Sequence, residues 1–254
     1  MIPKIIHLCW LSGTPYPEPI QRCIDSWHEH LPDYEIWLWD TTRFNVMDTP
    51  WTKQAFECKK YAFAADYIRL YALYHHGGIY LDSDVLVYKS FNDLLHLPYF
   101  IGEDNVHCFE PAIIGAEPHQ AWIKQVLNRY EGLEFINNNG EFNMKTLPVV
   151  FREQLHNYLI FRASKAEQVI SLNNQLFVLP SNYFHSRDYV GAIKTRDSYC
   201  SHNFIGSWLP ERDSGKNPFK KILPRFLLNF AYRFYYLIPQ NRKHLRTVQI
   251  NYHN

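Results

Sequence analysis

Between Tyr61 and Val87 a helical pattern, two glycines and an apolar extended run follow one another without a linker, and Asp82-Ser83-Asp84 cuts the extended run in two. The spacing predicts a helix over about Tyr61 to His76, stopped at Gly77-Gly78, where glycine can take the left-handed conformation that ends helices. Ile79-Tyr80-Leu81 and Val85-Leu86-Val87 then read as strand. A helix that feeds a strand at once is the repeating unit of an α/β fold, and it leaves three polar residues where an apolar run would otherwise continue.

The flanking sequence repeats the alternation. Lys4 to Trp10 reads as a buried first strand leaving into Ser12-Gly13-Thr14-Pro15. Pro17 and Pro19 suit the first turn of a helix to about His30, and Tyr34 to Trp39 reads as a second strand. Thr49-Pro50 is an N-cap followed by a first-turn proline. Tyr99 to Gly102, Ala112 to Ala116 and Leu176 to Leu179 read as strands, and Pro118 opens a helix through about Tyr130. The expected fold is a Rossmann-like α/β domain with a mixed, mainly parallel sheet flanked by helices, in which ligands sit beyond the carboxyl ends of strands. No G-x-G-x-x-G or Walker loop is present, so the usual dinucleotide and P-loop fingerprints are excluded.

Composition adds three expectations. At 254 residues, 46% hydrophobic and 17% aromatic, the chain can bury a full core. Five scattered cysteines without a C-x-x-C pair indicate neither a disulfide framework nor a zinc site, which points to a reducing, cytoplasmic setting, and the opening residues lack the features of a signal peptide. Charge is uneven: residues 216–254 carry eight Lys or Arg and no Asp or Glu, so the rest is net acidic. We divide the chain into a domain over 1–212 and a basic, helical tail over 213–254. The apolar run Phe226 to Ile238 is shorter than the ~20 residues that span a bilayer. Flanked by basic residues, it reads as an interfacial helix seeking anionic headgroups, peripheral on the inner face of the cell membrane. A helix packed on the core is the alternative. Nucleic acid is not expected as a partner, because no recognised motif accompanies the charge.

The acidic triplet is the first candidate for chemistry. In an extended segment residues i and i+2 share a side, so Asp82 and Asp84 would present two carboxylates together, half a site for Mn²⁺ or Mg²⁺ bridging protein and pyrophosphate. A simple turn is the alternative for Asp-Ser-Asp. On the preceding helix Ala62, Asp66, Arg69 and Leu73 share one face, placing a carboxylate and a guanidinium on an apolar stripe; a structural ion pair is the alternative there. Glu103 and Asp104, just past a strand, are candidates for ligand contact, with a solvated acidic loop as the other reading.

The run Ala65-Asp66-Tyr67-Ile68-Arg69-Leu70-Tyr71, followed by Leu73 through Asp84, resembles the signature of the DXD sugar-binding glycosyltransferases of family 32, which include bacterial capsule and lipopolysaccharide transferases and are distantly similar to large glucosylating toxins. Ile2 to Trp10 resembles the family's first strand and Ser201 to Trp208 its closing element, while His75-His76 before the glycines depart from the pattern. The resemblance implies a GT-A fold, a nucleotide-sugar donor with UDP-sugars favoured, retention at the anomeric carbon, and a glycan or lipid-linked glycan acceptor in surface polysaccharide synthesis. It assigns catalytic roles to Asp66, Arg69, Asp82 and Asp84, and the metal to Asp82 and Asp84 with His202. Trp10, Gly78, Tyr80, Ser207 and Trp208 would bind the donor, with Glu103 and Asp104 beside them as candidates for sugar or acceptor contact. For His202 a purely structural histidine is the alternative. Two competing functions use the same residues: a sugar-nucleotide hydrolase, and a non-catalytic sugar- or metal-binding module.

Overall fold

The computed structural model describes residues 1–103, 109–186 and 194–203. Its centre is a five-stranded sheet in the order β2-β1-β3-β6-β5, formed by β1 (Ile5–Cys9), β2 (Glu35–Trp39), β3 (Gly78–Leu81), β5 (Tyr99–Glu103) and β6 (Phe109–Ala116). β1 pairs in parallel with both β2 and β3, whereas β6 runs antiparallel to β3 and to β5. Four strands therefore point one way and β6 the other. β3 and β6 are buried along their whole length, as expected for central strands covered on both faces.

Helices cover the sheet: α1 (Glu18–His30), α2 (Pro50–Glu57), α3 (Tyr61–His76), α4 (Ala121–Asn128) and α5 (Leu147–Gln154). Thr49 caps α2 by accepting from the Thr52 N–H, which removes one of the unpaired donors of the first turn. α3 ends where its sequence says it should. Gly77 and Gly78 both have positive φ, +64° and +99°, and a Cβ on Gly78 would lie 2.7 Å from the Ile5 carbonyl oxygen. Only glycine fits both the conformation and the close approach of β1.

A second, three-stranded sheet joins the site to the far end of the chain. Its order is β4-β10-β9, from β4 (Val85–Val87), β9 (Phe184–Ser186) and β10 (Cys200–His202). β10 runs antiparallel to β4 with His202 opposite Val85. α1 holds β4 in place through Trp27 Nε1–H to the Val85 carbonyl (2.7 Å) and the Val87 N–H to Ser26 Oγ (3.0 Å). A parallel pair, β7 (Leu159–Arg162) with β8 (Gln175–Val178), completes the described strands.

Several expected boundaries move: β6 begins at Phe109 and not at Ala112, and β8 runs from Gln175 to Val178 and not from Leu176 to Leu179. The helix read from Pro118 begins at Ala121 instead, because Pro118 and His119 form a turn in which His119 takes φ +64° and its N–H bonds to the Tyr74 carbonyl. The strand read as Tyr99 to Gly102 runs one residue further, to Glu103, through a register shift between Ile101 and Gly102. The tail over 213–254 lies outside the described residues. Among the described residues no helix is long and apolar enough to cross a membrane.

Candidate functional site

The carboxyl ends of β1, β2 and β3 lie together, since His7 of β1 is level with Trp37 of β2 and Tyr80 of β3. Asp82 follows directly on β3. Its N–H donates to the Ala112 carbonyl of β6 (2.9 Å), which extends the ladder one residue past the strand. The triplet itself is a turn and not extended strand: the Val85 N–H donates to the Asp82 carbonyl at 3.0 Å. The expected alternation along a strand is therefore not what aligns the two carboxylates. A four-residue turn folds Asp84 back toward Asp82.

β10 brings the third group. His202 Nε2 lies 3.3 Å from Asp84 Oδ1, and its Nδ1 lies 3.3 Å from Glu110 Oε1 on β6. Ligand atoms of Asp82, Asp84 and His202 all lie within 4.8 Å of one another. Burial opposes charge on His202, but Glu110 and Asp84 on either side outweigh it and raise its pKa well above the ordinary value.

Beneath this group α3 supplies the buried ion network. Arg69 is 5% exposed and Asp66 8% exposed. The guanidinium lies 2.9 Å from Asp66 Oδ1 and 3.2 Å from Asp82 Oδ1, donates to the Pro111 carbonyl at 2.9 Å, and sits over the Tyr80 ring at 4.5 Å. Tyr80 in turn donates its hydroxyl to Asp82 (2.8 Å). Burial pushes Asp66 up to about 7, against the lowering effect of Arg69 and with a further rise from Asp82. Burial likewise raises Asp82, again opposed by Arg69. For Arg69 burial acts against the charge, yet Asp82, Tyr80 and Asp66 more than offset it and keep the group cationic. Desolvating Asp66 and Arg69 offsets much of their mutual attraction, so the network adds little net stability.

Residues 17–101 match the family described as a glycosyltransferase sugar-binding region containing DXD motif. The chain carries a DXD-type glycosyltransferase region. An uncharacterized glycosyltransferase of Acanthamoeba polyphaga mimivirus is 26% identical over 225 residues, covering 83% of this chain and 85% of the relative. Inositol phosphoceramide mannosyltransferase 2 of Schizosaccharomyces pombe is 30% identical over 52% of this chain and 39% of its own length. Mannosyl phosphorylinositol ceramide synthase SUR1 of Saccharomyces cerevisiae is 31% identical over 54% and 37%. The chain thus spans well under half the length of these fungal relatives. Among solved structures, the PaToxG glycosyltransferase aligns at 22% identity and a TM-score of 0.47, covering 61% of this chain and 68% of that one.

The glycosyltransferase region contains Asp66, Arg69, Asp82 and Asp84, while His202 lies beyond it and reaches the same place through β10. The donor set fits a divalent cation: two carboxylate oxygens, one half-buried and one buried, and one imidazole nitrogen converge, and a cation between them relieves the repulsion of the apposed carboxylates. Trp10 leaves the end of β1, with its N–H on the Trp39 carbonyl (3.1 Å), its indole N–H on the Thr14 carbonyl (2.8 Å) and its ring edge-on to Tyr16. Tyr80 lies within the Arg69 and Asp82 network. Gly78 does not share this place. It starts β3, at the end away from Asp82, and serves the helix-to-strand turn. Glu103 is a buried strand residue paired with Arg162, not part of a solvated loop. Asp104, Ser207 and Trp208 lie outside the described residues. Sequence reasoning missed Glu110 and the Pro111 carbonyl; only the insertion of β6 beside β3 in the sheet brings them to the site.

Proposed function

We propose that the chain is a metal-dependent, retaining glycosyltransferase that moves a hexosyl unit from a nucleotide-sugar donor to a glycan or lipid-linked glycan. The convergence of Asp82, Asp84 and His202 above the Asp66–Arg69 pair carries this reading. Asp82, Asp84 and His202 would hold Mn²⁺ or Mg²⁺, which when bound supplies Lewis-acid stabilisation of a leaving diphosphate. Arg69 keeps its positive charge in a dry setting and is fixed on three sides, so it orients Asp66 and Asp82 without reorganising. Asp66 and Asp82 place negative charge and acceptor oxygens where a sugar face would bear positive charge. Aromatic rings at Trp10 and Tyr16 beyond β1 suit a flat nucleobase.

UDP-sugars remain the favoured donors, and the names of the fungal relatives add mannosyl donors and lipid acceptors to the candidates. We place the enzyme in the cytoplasm, on an anionic membrane face through the basic tail, with a role in surface polysaccharide synthesis. Co-sedimentation with anionic liposomes that is lost on truncation near residue 215 is expected, and equal behaviour of both forms removes that placement. The catalytic reading is tested by turnover of a panel of UDP- and GDP-sugars with Mn²⁺, Mg²⁺ or EDTA, in the wild type and in Asp84→Asn. Consumption of one donor, dependent on metal and lost in the variant, is expected; dependence on an added acceptor separates transfer from hydrolysis. A chain that consumes no donor under any metal condition is a binding module.

A further inference from the structure

His202 meets the acidic turn with one ring nitrogen, and its other nitrogen faces a second carboxylate. Nε2 is 3.3 Å from Asp84 Oδ1 and Nδ1 is 3.3 Å from Glu110 Oε1. Glu110 is only 4% exposed and is not itself one of the three converging groups. Its Oε1 also accepts from the Ala112 N–H at 3.2 Å, which ties the carboxylate to its own strand. Ala112 in turn carries the carbonyl that receives the Asp82 N–H, so one short stretch of β6 sets both the acidic turn and the imidazole.

We propose that Glu110 is a positioning residue: its carboxylate, 3.3 Å from Nδ1 of His202, favours the ring form protonated there and holds the imidazole with Nε2 toward Asp82 and Asp84, and so raises the affinity of that group for a divalent cation. The inference rests on the metal-dependent reading above and deepens it. The ligating form of an imidazole is neutral, with one lone pair and one N–H, so placing Nδ1–H against a carboxylate leaves Nε2 as the ligand atom. The same contact blocks the ring flip that would turn Nε2 away. Glu110 is well placed for this task because it is buried, pinned by backbone, and on a different strand from every ligand it serves.

Mn²⁺ alone is the probe, with free Mn²⁺ followed by electron paramagnetic resonance on the full chain. Wild type, Glu110→Ala, Glu110→Gln and Asp84→Asn are compared, with thermal melts in EDTA reporting the fold. Glu110→Ala is expected to weaken Mn²⁺ binding on the order of 10–100-fold. Glu110→Gln keeps an acceptor oxygen without the charge and falls between wild type and alanine. ¹⁵N shifts of His202 in the Mg²⁺-saturated protein are expected to show the proton on Nδ1 in the wild type and to lose that preference in the alanine variant. If Glu110→Ala binds Mn²⁺ as tightly as wild type while Asp84→Asn does not, the proposal is overturned and the metal site stands. If wild type binds no Mn²⁺, or Asp84→Asn binds it equally, both fail. Should the alanine variant not fold, Glu110→Gln decides, and unchanged affinity overturns the proposal.

Discussion

Acidification is expected to unfold this protein partly through His7, a residue of β1 bonded to Trp39 and Gly77. The ring is fully buried, accepts from Trp39 Nε1–H at Nδ1 (3.0 Å), and places Nε2 2.6 Å from the Gly77 carbonyl. Those two contacts fit only a neutral ring protonated on Nε2, because a proton on Nδ1 would face the Trp39 N–H. Burial, together with the nearby His76 and Arg43 charges, lowers its pKa from the ordinary 6.5 to about 4 despite the Gly77 carbonyl. Between those values the unfolded chain binds the proton that the folded chain refuses. The contribution is therefore complete above pH ~6.5 and is lost as pH falls toward ~4. At 1.36 kcal/mol per pH unit the full loss is roughly 3 kcal/mol, and between about pH 7.5 and 4.5 it is about 2.5 kcal/mol. Urea unfolding followed by tryptophan fluorescence measures it, with His7→Gln as the comparison, since an amide can accept from Trp39 and donate to Gly77 without titrating. Wild type is expected to lose about 2–3 kcal/mol more than the variant across that range. Parallel losses in the two proteins would refute the argument.

Arg69→Leu leaves the buried Asp66 and the half-buried Asp82 beside an apolar side chain, and a loss of about 3–5 kcal/mol in urea unfolding is expected; a change below about 1 kcal/mol would mean that water already screens the pair. Gly78→Ala forces a Cβ to 2.7 Å from the Ile5 carbonyl at φ +99°, whereas Gly13→Ala, at φ +66°, meets nothing within 4 Å. The first is expected to cost well over the ~1 kcal/mol typical of the second, and equal melting temperatures would show that β1 can yield.

The elements around the acidic triplet were legible because local physics decides them. α3 runs from Tyr61 to His76 as its pattern predicts, since two consecutive glycines with positive φ leave the helix no way to continue. The Asp66–Arg69 spacing was equally readable, because residues three apart on a helix are neighbours whatever surrounds them. The triplet misled in its backbone: flanking apolar residues suggested one continuous strand, whereas β3 and β4 belong to different sheets and Asp82 to Val85 turns between them. Glu110 could not be found from sequence, because its meaning depends on β6 entering the sheet antiparallel beside β3. Strands β9 and β10, three residues each, carry too little pattern to announce themselves, and Cys200-Ser201-His202 has no alternation to read.

Because β10 completes the small sheet against β4, the imidazole arrives only when the last described strand has been laid down. A nascent chain that ends before it carries Asp82 and Asp84 but lacks the nitrogen that closes the group. On the metal-dependent reading proposed above, ion capture is thereby tied to synthesis as far as β10, and a shorter chain offers two carboxylates without the imidazole.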